Sequence, residues 1–259
     1  MGFHETPRGE RLHIAYTYFT INVNIHNIFG KIIYKKGPRL TMTKVYLIRH
    51  GKTEWNLESR YQGGHGDSPL LKTSYQEIEL LAQSLKKVAF AHAYASPLRR
   101  ARVTAQKLIS HLDQPIPLTI DSRLMEFNLG KMEGMHFDDV AKKWPDELNN
   151  FRHHPDRYNE AVTGSESFQQ VIDRVGSAVK EFCRVNPEAN ILIVSHGAAL
   201  NATINALIGT PLPHLKDRGG LSNTSTTILK TDDAEHFTLE KWNDTTYLHK
   251  TKVDPTDTI

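Results

Sequence analysis

Cysteine is almost missing from this 259-residue chain: Cys183 stands alone, so no intramolecular disulfide can form. A fold of this length must then be held by its own core, and a reducing, cytoplasmic setting is expected. Long apolar runs are missing too. The nearest approach to the ~18 residues of a membrane span is Leu12 to Tyr34, which Asn22, Asn24, His26 and Asn27 interrupt. That stretch has no clean apolar centre and no small-residue cleavage site, so neither a signal peptide nor a membrane partner is expected. An excess of one charge is lacking in most of the chain. The net charge is +3, but residues 1–41 hold six Lys/Arg against two acids, leaving the remainder close to neutral at −1. A nucleic-acid partner is therefore not expected.

Residues 1–41 differ in composition from the rest of the chain and end in Lys35-Lys36-Gly37-Pro38 before Arg39-Leu40-Thr41. They are expected to be an N-terminal extension, disordered or upstream of a native start at Met42, with one domain over residues 42–259. From Lys44 onward, short apolar runs alternate with helical patterns. Strands are expected at 45–48, 91–95, 118–120, 191–194, 226–230 and 236–241, the last two as a hairpin. Helices are expected at 68–88, 97–111, 137–144 (halted by Pro145), 165–185 and 198–208. The alternation predicts an α/β fold, a three-layer α/β/α sandwich around a mostly parallel sheet.

Ligands of open α/β sheets bind beyond the carboxyl ends of the strands. Two apolar runs end alike there, Ile48-Arg49-His50-Gly51 and Val194-Ser195-His196-Gly197. A third runs into Ser96-Pro97-Leu98-Arg99-Arg100. Glycine after each histidine is expected to permit unusual φ and close backbone approach. Ser195 and His196 cannot work as a dyad, because neighbours in a strand point to opposite faces. Arg49 and His50 can share a pocket only if the chain leaves the strand at His50-Gly51. His50 and His196 have no further His or Asp at ligand spacing, and thiolate sites are ruled out by the cysteine count, so no metal is expected. Arginines grouped with histidines suit an anion, above all a phosphate.

The blocks "LIRHGKTEWN", "RYQG", "SPLRRA", "LMEFNLGKMEG", "GSES" and "LIVSHG", in that order, resemble the histidine phosphatase superfamily, the phosphoglycerate mutase-like group. The likeness runs from Lys44 to about Trp242. It implies that His50 is the nucleophile, that Arg49, Arg100 and His196 complete a phosphate pocket, and that Glu126 donates and accepts the proton. Asn56, Thr53, Arg60, Gln62, Gly63 and Gly197 are implied on the substrate side. Glu126 is then expected to begin protonated, helped by the phosphate dianion, and His196 to be a third cation. One ring nitrogen of His50 needs an acceptor that fixes its tautomer, for which a nearby backbone carbonyl is expected.

The resemblance implies no cofactor and a small phosphorylated substrate, with the protein a monomer or a homodimer. Met125 to Gly130 lacks the His-Tyr pair usual in glycolytic mutases, and Gly164 to Ser167 follows the small phosphatase branch. A metal-independent phosphomonoesterase is thus the expected activity. A cofactor-dependent mutase is the alternative, and a silent phospho-ligand sensor the third reading. Gly63 to Gly66 is about one residue looser than the family's loop, and Ser74 replaces a usual glycine, which is expected to alter only a helix start. Phe127, Trp144, Phe151, His153, His154 and Tyr158 form either a lid or ordinary packing.

Overall fold

The computed structural model describes residues 42–250. The extension expected at 1–41 and the tail at 251–259 lie outside the described residues. In chain order the strands are β1 (Thr43–Arg49), β2 (Phe90–Ala95), β3 (Leu118–Ile120), β4 (Asn190–Ser195), β5 (Thr226–Thr231) and β6 (Thr238–Asp244). The helices are α1 (Glu54–Leu57), α2 (Lys72–Leu85), α3 (Arg99–Ser110), α4 (Phe137–Lys143), α5 (Pro145–His153), α6 (Glu160–Thr163), α7 (Phe168–Val185) and α8 (Gly197–Leu207).

The strands form one six-stranded sheet in the order β3-β2-β4-β1-β5-β6. The first four in that order are mutually parallel, while β5 runs against β1 and β6 against β5. Alternation along the central strands divides their side chains between two cores. Tyr46, Ile48, Leu192 and Val194 face α2 and α3, packing on Ile78, Leu81, Ala101 and Leu108. Val45, Leu47, Ile191 and Ile193 face α7 and α8, packing on Val171, Val175, Val179 and Ile204. The expected three-layer sandwich is what the chain forms. Cys183 is buried in α7, and burial pushes its thiol up to about 12. Among the described residues no helix is long and apolar enough to cross a membrane.

Helix ends differ from the expectation where side chains compete for the backbone. Residues 68–71 stay outside α2, and the Ser68 hydroxyl accepts the Trp55 N–H instead, at 3.1 Å. Pro97 precedes α3 rather than entering its first turn, because Leu98 is still extended (ψ 134°). Ser167 starts α7 by a capping box with Gln170, so residues 165–166 remain in the preceding loop. Pro145 does halt α4, yet it also occupies the first turn of α5, where its missing N–H costs nothing.

Candidate active site

The pairing of β1 with β4 matches Arg49 to Ser195, so the two strands end at the same level. The His50 N–H then donates to the Ser195 carbonyl at 3.0 Å, and the His50 and His196 rings come within 5.2 Å, centroid to centroid. β2 ends beside them: the Ser96 N–H donates to the Val194 carbonyl, and the Ser96 hydroxyl lies 2.7 Å from His196 Nε2. β1 stops at Arg49, so the chain does leave the strand where it must for Arg49 and His50 to act together.

Both ring nitrogens of His50 are accounted for. Nδ1–H donates to the Gly51 carbonyl at 2.8 Å, the backbone acceptor that was expected. Nε2 accepts from Arg100 Nε at 3.3 Å, which fixes the same tautomer independently. Burial, then the charges of Arg100 and Arg49, hold the His50 imidazole well below its ordinary range, with the Gly51 bond opposing. The ring is therefore neutral at physiological pH, with its lone pair on Nε2.

His196 departs from the expectation of a third cation. Burial, followed by the charges of Arg100, His50, Arg174 and Arg49, holds it well below the ordinary histidine range. Between these guanidiniums it is a neutral imidazole. Its Nδ1 is buried without a hydrogen-bond partner, a polar atom that a ligand oxygen would satisfy.

Arg100, not Arg99, enters the pocket: it is buried, while Arg99 is exposed. Its Nη1 donates to the Gly66 carbonyl at 2.7 Å and its Nη2 to the Gly63 carbonyl at 2.9 Å. The looser Gly63–Gly66 loop is thus the cradle of this guanidinium. The loop itself is organised by Glu133, whose carboxylate accepts the N–H groups of Gly63, Gly66, His65 and Leu129 at 3.0–3.3 Å. A Cβ at Gly63 would fall 2.3 Å from that carboxylate and 2.4 Å from the Phe127 carbonyl, so only glycine fits. Asp67 closes the arrangement, accepting the N–H groups of Arg99 and Arg100 and facing Arg100 Nη1 at 3.3 Å.

Arg49 is fully buried, and its Nη1 donates to the Leu221 carbonyl at 2.5 Å. Gly197 leaves room for that side chain, since a Cβ would stand 3.0 Å from Arg49 Nε and 3.1 Å from Cζ and press on it. Gly51 is likewise a matter of space, because a Cβ there would lie 3.0 Å from Ser74 Cβ. Neither glycine has a positive φ, so the expected unusual φ is not the reason for the His-Gly pairs; close packing is what the two glycines share. Ser74 does more than begin a helix: buried in α2, it donates to the Lys52 carbonyl at 2.7 Å, two residues after His50.

The Glu126 carboxylate sits at the start of α8. Its Oε1 accepts the N–H groups of Ala199 and Phe127 at 2.7 and 2.9 Å, and Oε2 accepts that of Ala198 at 3.0 Å. Oε1 thus accepts two N–H groups and Oε2 one, which leaves Oε2 a free lone pair. Arg174 holds the segment that carries Glu126, donating to the carbonyls of Arg123, Met125 and Glu126 at 2.7–2.9 Å while pairing with Glu166. The expected substrate-side residues divide into two groups. Asn56, Thr53 and Gln62 form a buried polar chain, with the Thr53 hydroxyl near both amide oxygens and Asn223 donating to the His50 carbonyl and Asn56. Arg60 stands apart at the rim, tied to Glu58 and the Gly134 carbonyl.

Of the aromatic candidates, Phe127, Phe151 and Tyr158 are buried against Phe168, so packing is their role; His153 is exposed. Glu133, Arg174, Ser96, Asp67 and Asn223 were missed by sequence reasoning. Glu133 and Ser96 had a signal, since both fall inside the recognisable sequence blocks. Arg174 lies on a helix face and had none.

Neutral Nε2, two buried guanidiniums, a second imidazole and a carboxylate define a phosphoryl-transfer site. The histidine phosphatase superfamily (branch 1) profile matches residues 45–245, and the chain belongs to that family. A protein named "Probable phosphoglycerate mutase GpmB" from Escherichia coli is 37% identical over 174 residues, 66% of this chain and 77% of that protein. Among solved structures, Bacillus stearothermophilus YhfR aligns with TM-score 0.74 and 33% identity over 80% of this chain and 99% of its own. A phosphoserine phosphatase from Entamoeba histolytica, in complex with 3-phosphoglyceric acid, aligns with TM-score 0.69 and 29% identity over 80% and 100%. The chain is thus an enzyme of the phosphatase and mutase type, acting on small phosphorylated metabolites.

Proposed function

We propose that the protein is a metal-independent phosphomonoester hydrolase that works through a phosphohistidine at His50. The observation that carries this reading is the His50 ring, neutral and held with its Nε2 lone pair against Arg100. Arg100 Nε donates to that lone pair until substrate arrives. An incoming ester gives the guanidinium a better acceptor in a phosphate oxygen and releases Nε2 to attack.

Phosphoryl transfer asks for positioning and for charge on the equatorial oxygens. Arg49 and Arg100 supply the two cations, and His196 supplies a ring N–H or, once a dianion balances it, a third charge. Nε2 forms its bond to phosphorus as the ester P–O bond breaks, and Glu126 gives its Oε2 proton to the departing alkoxide. Water then attacks phosphohistidine, losing its proton to Glu126 and returning His50 to the neutral state. The acid of one half-reaction is the base of the next.

Hydrolase is preferred to mutase because Asn128 and Leu129 stand where mutases carry their His-Tyr pair: Leu129 is buried, and the Asn128 side-chain oxygen is taken by the Gly130 N–H at 2.9 Å. The likeness to GpmB supports the mutase reading as the alternative. EDTA-treated protein tested on a panel of phosphomonoesters, beside a bisphosphoglycerate-primed mutase assay, separates them. Release of phosphate unaffected by chelation is expected; isomerisation without net release, or a metal requirement, contradicts the proposal.

A further inference from the structure

Just before β5 the chain makes a tight turn, closed by the Ser225 N–H donating to the Ser222 carbonyl at 3.1 Å. Thr224 is the third residue of that turn and has φ +60°. A positive φ at this position ordinarily calls for glycine or asparagine. Threonine is β-branched, and its Cβ makes the left-handed region unfavourable. It stays there only if the surrounding structure holds it.

The hold comes from two other parts of the chain. Tyr247, in the short helical turn after β6, donates its hydroxyl proton to the Thr224 carbonyl at 2.5 Å. With that proton committed, the Tyr247 oxygen accepts from the Thr226 hydroxyl at 3.0 Å. From α2, Glu77 Oε2 accepts the Thr224 hydroxyl at 3.2 Å, while Oε1 pairs with Lys250 at 2.9 Å. Thr224 is wholly buried, which leaves it no solvent in exchange for these partners.

The turn so held aims its donors at the nucleophile. The Thr224 N–H is shared between the Arg49 and His50 carbonyls at 3.1 and 3.3 Å, and Asn223 Nδ2 donates to the His50 carbonyl at 3.1 Å. The Ser225 carbonyl accepts the Arg49 N–H at 3.3 Å. Three consecutive residues thus fix the backbone that carries the imidazole and one phosphate clamp. The His50 carbonyl belongs to the peptide leading into Gly51, whose own carbonyl accepts the His50 Nδ1–H. A turn that relaxed out of the left-handed region would therefore loosen the ring along with its backbone.

We propose that Thr224 is a positioning residue for His50, held in its left-handed conformation by Tyr247 and Glu77 so that the Ser222–Ser225 turn fixes the nucleophile. The proposal rests on the reading of His50 as the attacking group. Relaxation of the turn leaves Arg100 and His196 in place to bind phosphate, so molecules with a misplaced ring are lost from kcat rather than gained in KM.

Tyr247→Phe removes one hydroxyl and keeps the ring. For nitrophenyl phosphate, kcat is expected to fall about three- to tenfold, as befits one neutral hydrogen bond, with KM within about twofold. Glycine adopts a positive φ without steric cost, so the hydroxyl has less to hold in a Thr224→Gly background. There the same Tyr247→Phe change should lower kcat by less than about twofold. A tyrosine that served only the fold would cost the same in both backgrounds.

Unaltered kcat in Tyr247→Phe protein would overturn the proposal, as would a loss carried by KM or an equal loss in the Thr224→Gly background. Exchange of the His50 Nδ1 proton, followed by NMR of ¹⁵N-labelled protein without substrate, reads the same hold without turnover. Tyr247→Phe should quicken that exchange by about the factor lost from kcat, and should scarcely change it in the Thr224→Gly background. Exchange untouched by Tyr247→Phe would contradict the positioning role. Failure of every phosphomonoester to hydrolyse would refute the nucleophile reading, while the exchange rates still decide on Thr224.

Discussion

Replacing Glu133 by glutamine tests how the phosphate pocket is held open. The carboxylate accepts four backbone N–H groups with its two oxygens, from Gly63 and Gly66 on Oε2 and from His65 and Leu129 on Oε1. Glutamine keeps one acceptor oxygen and turns an N–H₂ toward the other pair. The oxygen is expected to stay with Gly63 and Gly66, the shorter bonds, leaving His65 and Leu129 facing a donor. A hydrogen bond to a charged group contributes about 1.5–3 kcal/mol, and the exposed His65 N–H recovers part of its share from water. Two hydrogen bonds disappear and the other two weaken as the charge goes, so unfolding free energy is expected to fall by about 2–4 kcal/mol. Arg100 should feel it, because the Gly63 and Gly66 carbonyls support both of its terminal nitrogens. A guanidinium displaced by part of an ångström should lower kcat/KM for nitrophenyl phosphate by about ten- to a hundredfold. Urea denaturation and steady-state kinetics provide the assays. Stability within about 0.5 kcal/mol of the parent and kcat/KM within about twofold would refute the reasoning.

Other perturbations read other parts of the site. Gly197→Ala should leave the fold intact but press on the Arg49 guanidinium, lowering kcat/KM by about tenfold, while an unchanged value would show that Arg49 can yield freely. Arg174→Met should free the segment bearing Glu126, with kcat falling further for alkyl phosphates than for nitrophenyl phosphate, whose leaving group needs no proton; equal falls would contradict the acid role. His50 and His196 both have folded pKa values depressed below 6.5, so the unfolded chain binds more protons and stability falls as pH drops below that value. Each contributes a slope approaching about 1.4 kcal/mol per pH unit, and His50→Asn should remove its share between about pH 6.5 and 5.5; an unaltered slope would contradict a buried neutral ring.

The framework of the site was legible because local signals coincide with it. β1 and β4 are apolar runs bounded by polar residues, and the residues that end them are the ones the parallel register brings level. Arg100 and Glu126 sit in blocks with recognisable neighbours. What failed was whatever depends on partners far along the chain. The charge of His196 is set by burial between guanidiniums, which no local pattern displays. Arg174 reaches carbonyls about fifty positions away, and Thr224 meets a carboxylate supplied by α2. The glycines after His50 and His196 were read as conformational because φ is the usual argument, yet each is there to make room for a side chain from another element. Pro145 shows the same limit on a small scale: the sequence marks a break, and only packing tells that a second helix starts at it.

The most direct test is to quench the enzyme with alkali during turnover of a phosphomonoester and locate the phosphoryl group by peptide mass spectrometry. An acid-labile, alkali-stable phosphoryl group on His50, absent from His50→Ala protein, is the predicted result. Continued turnover with no phosphoenzyme, or the label on another residue, would contradict the account.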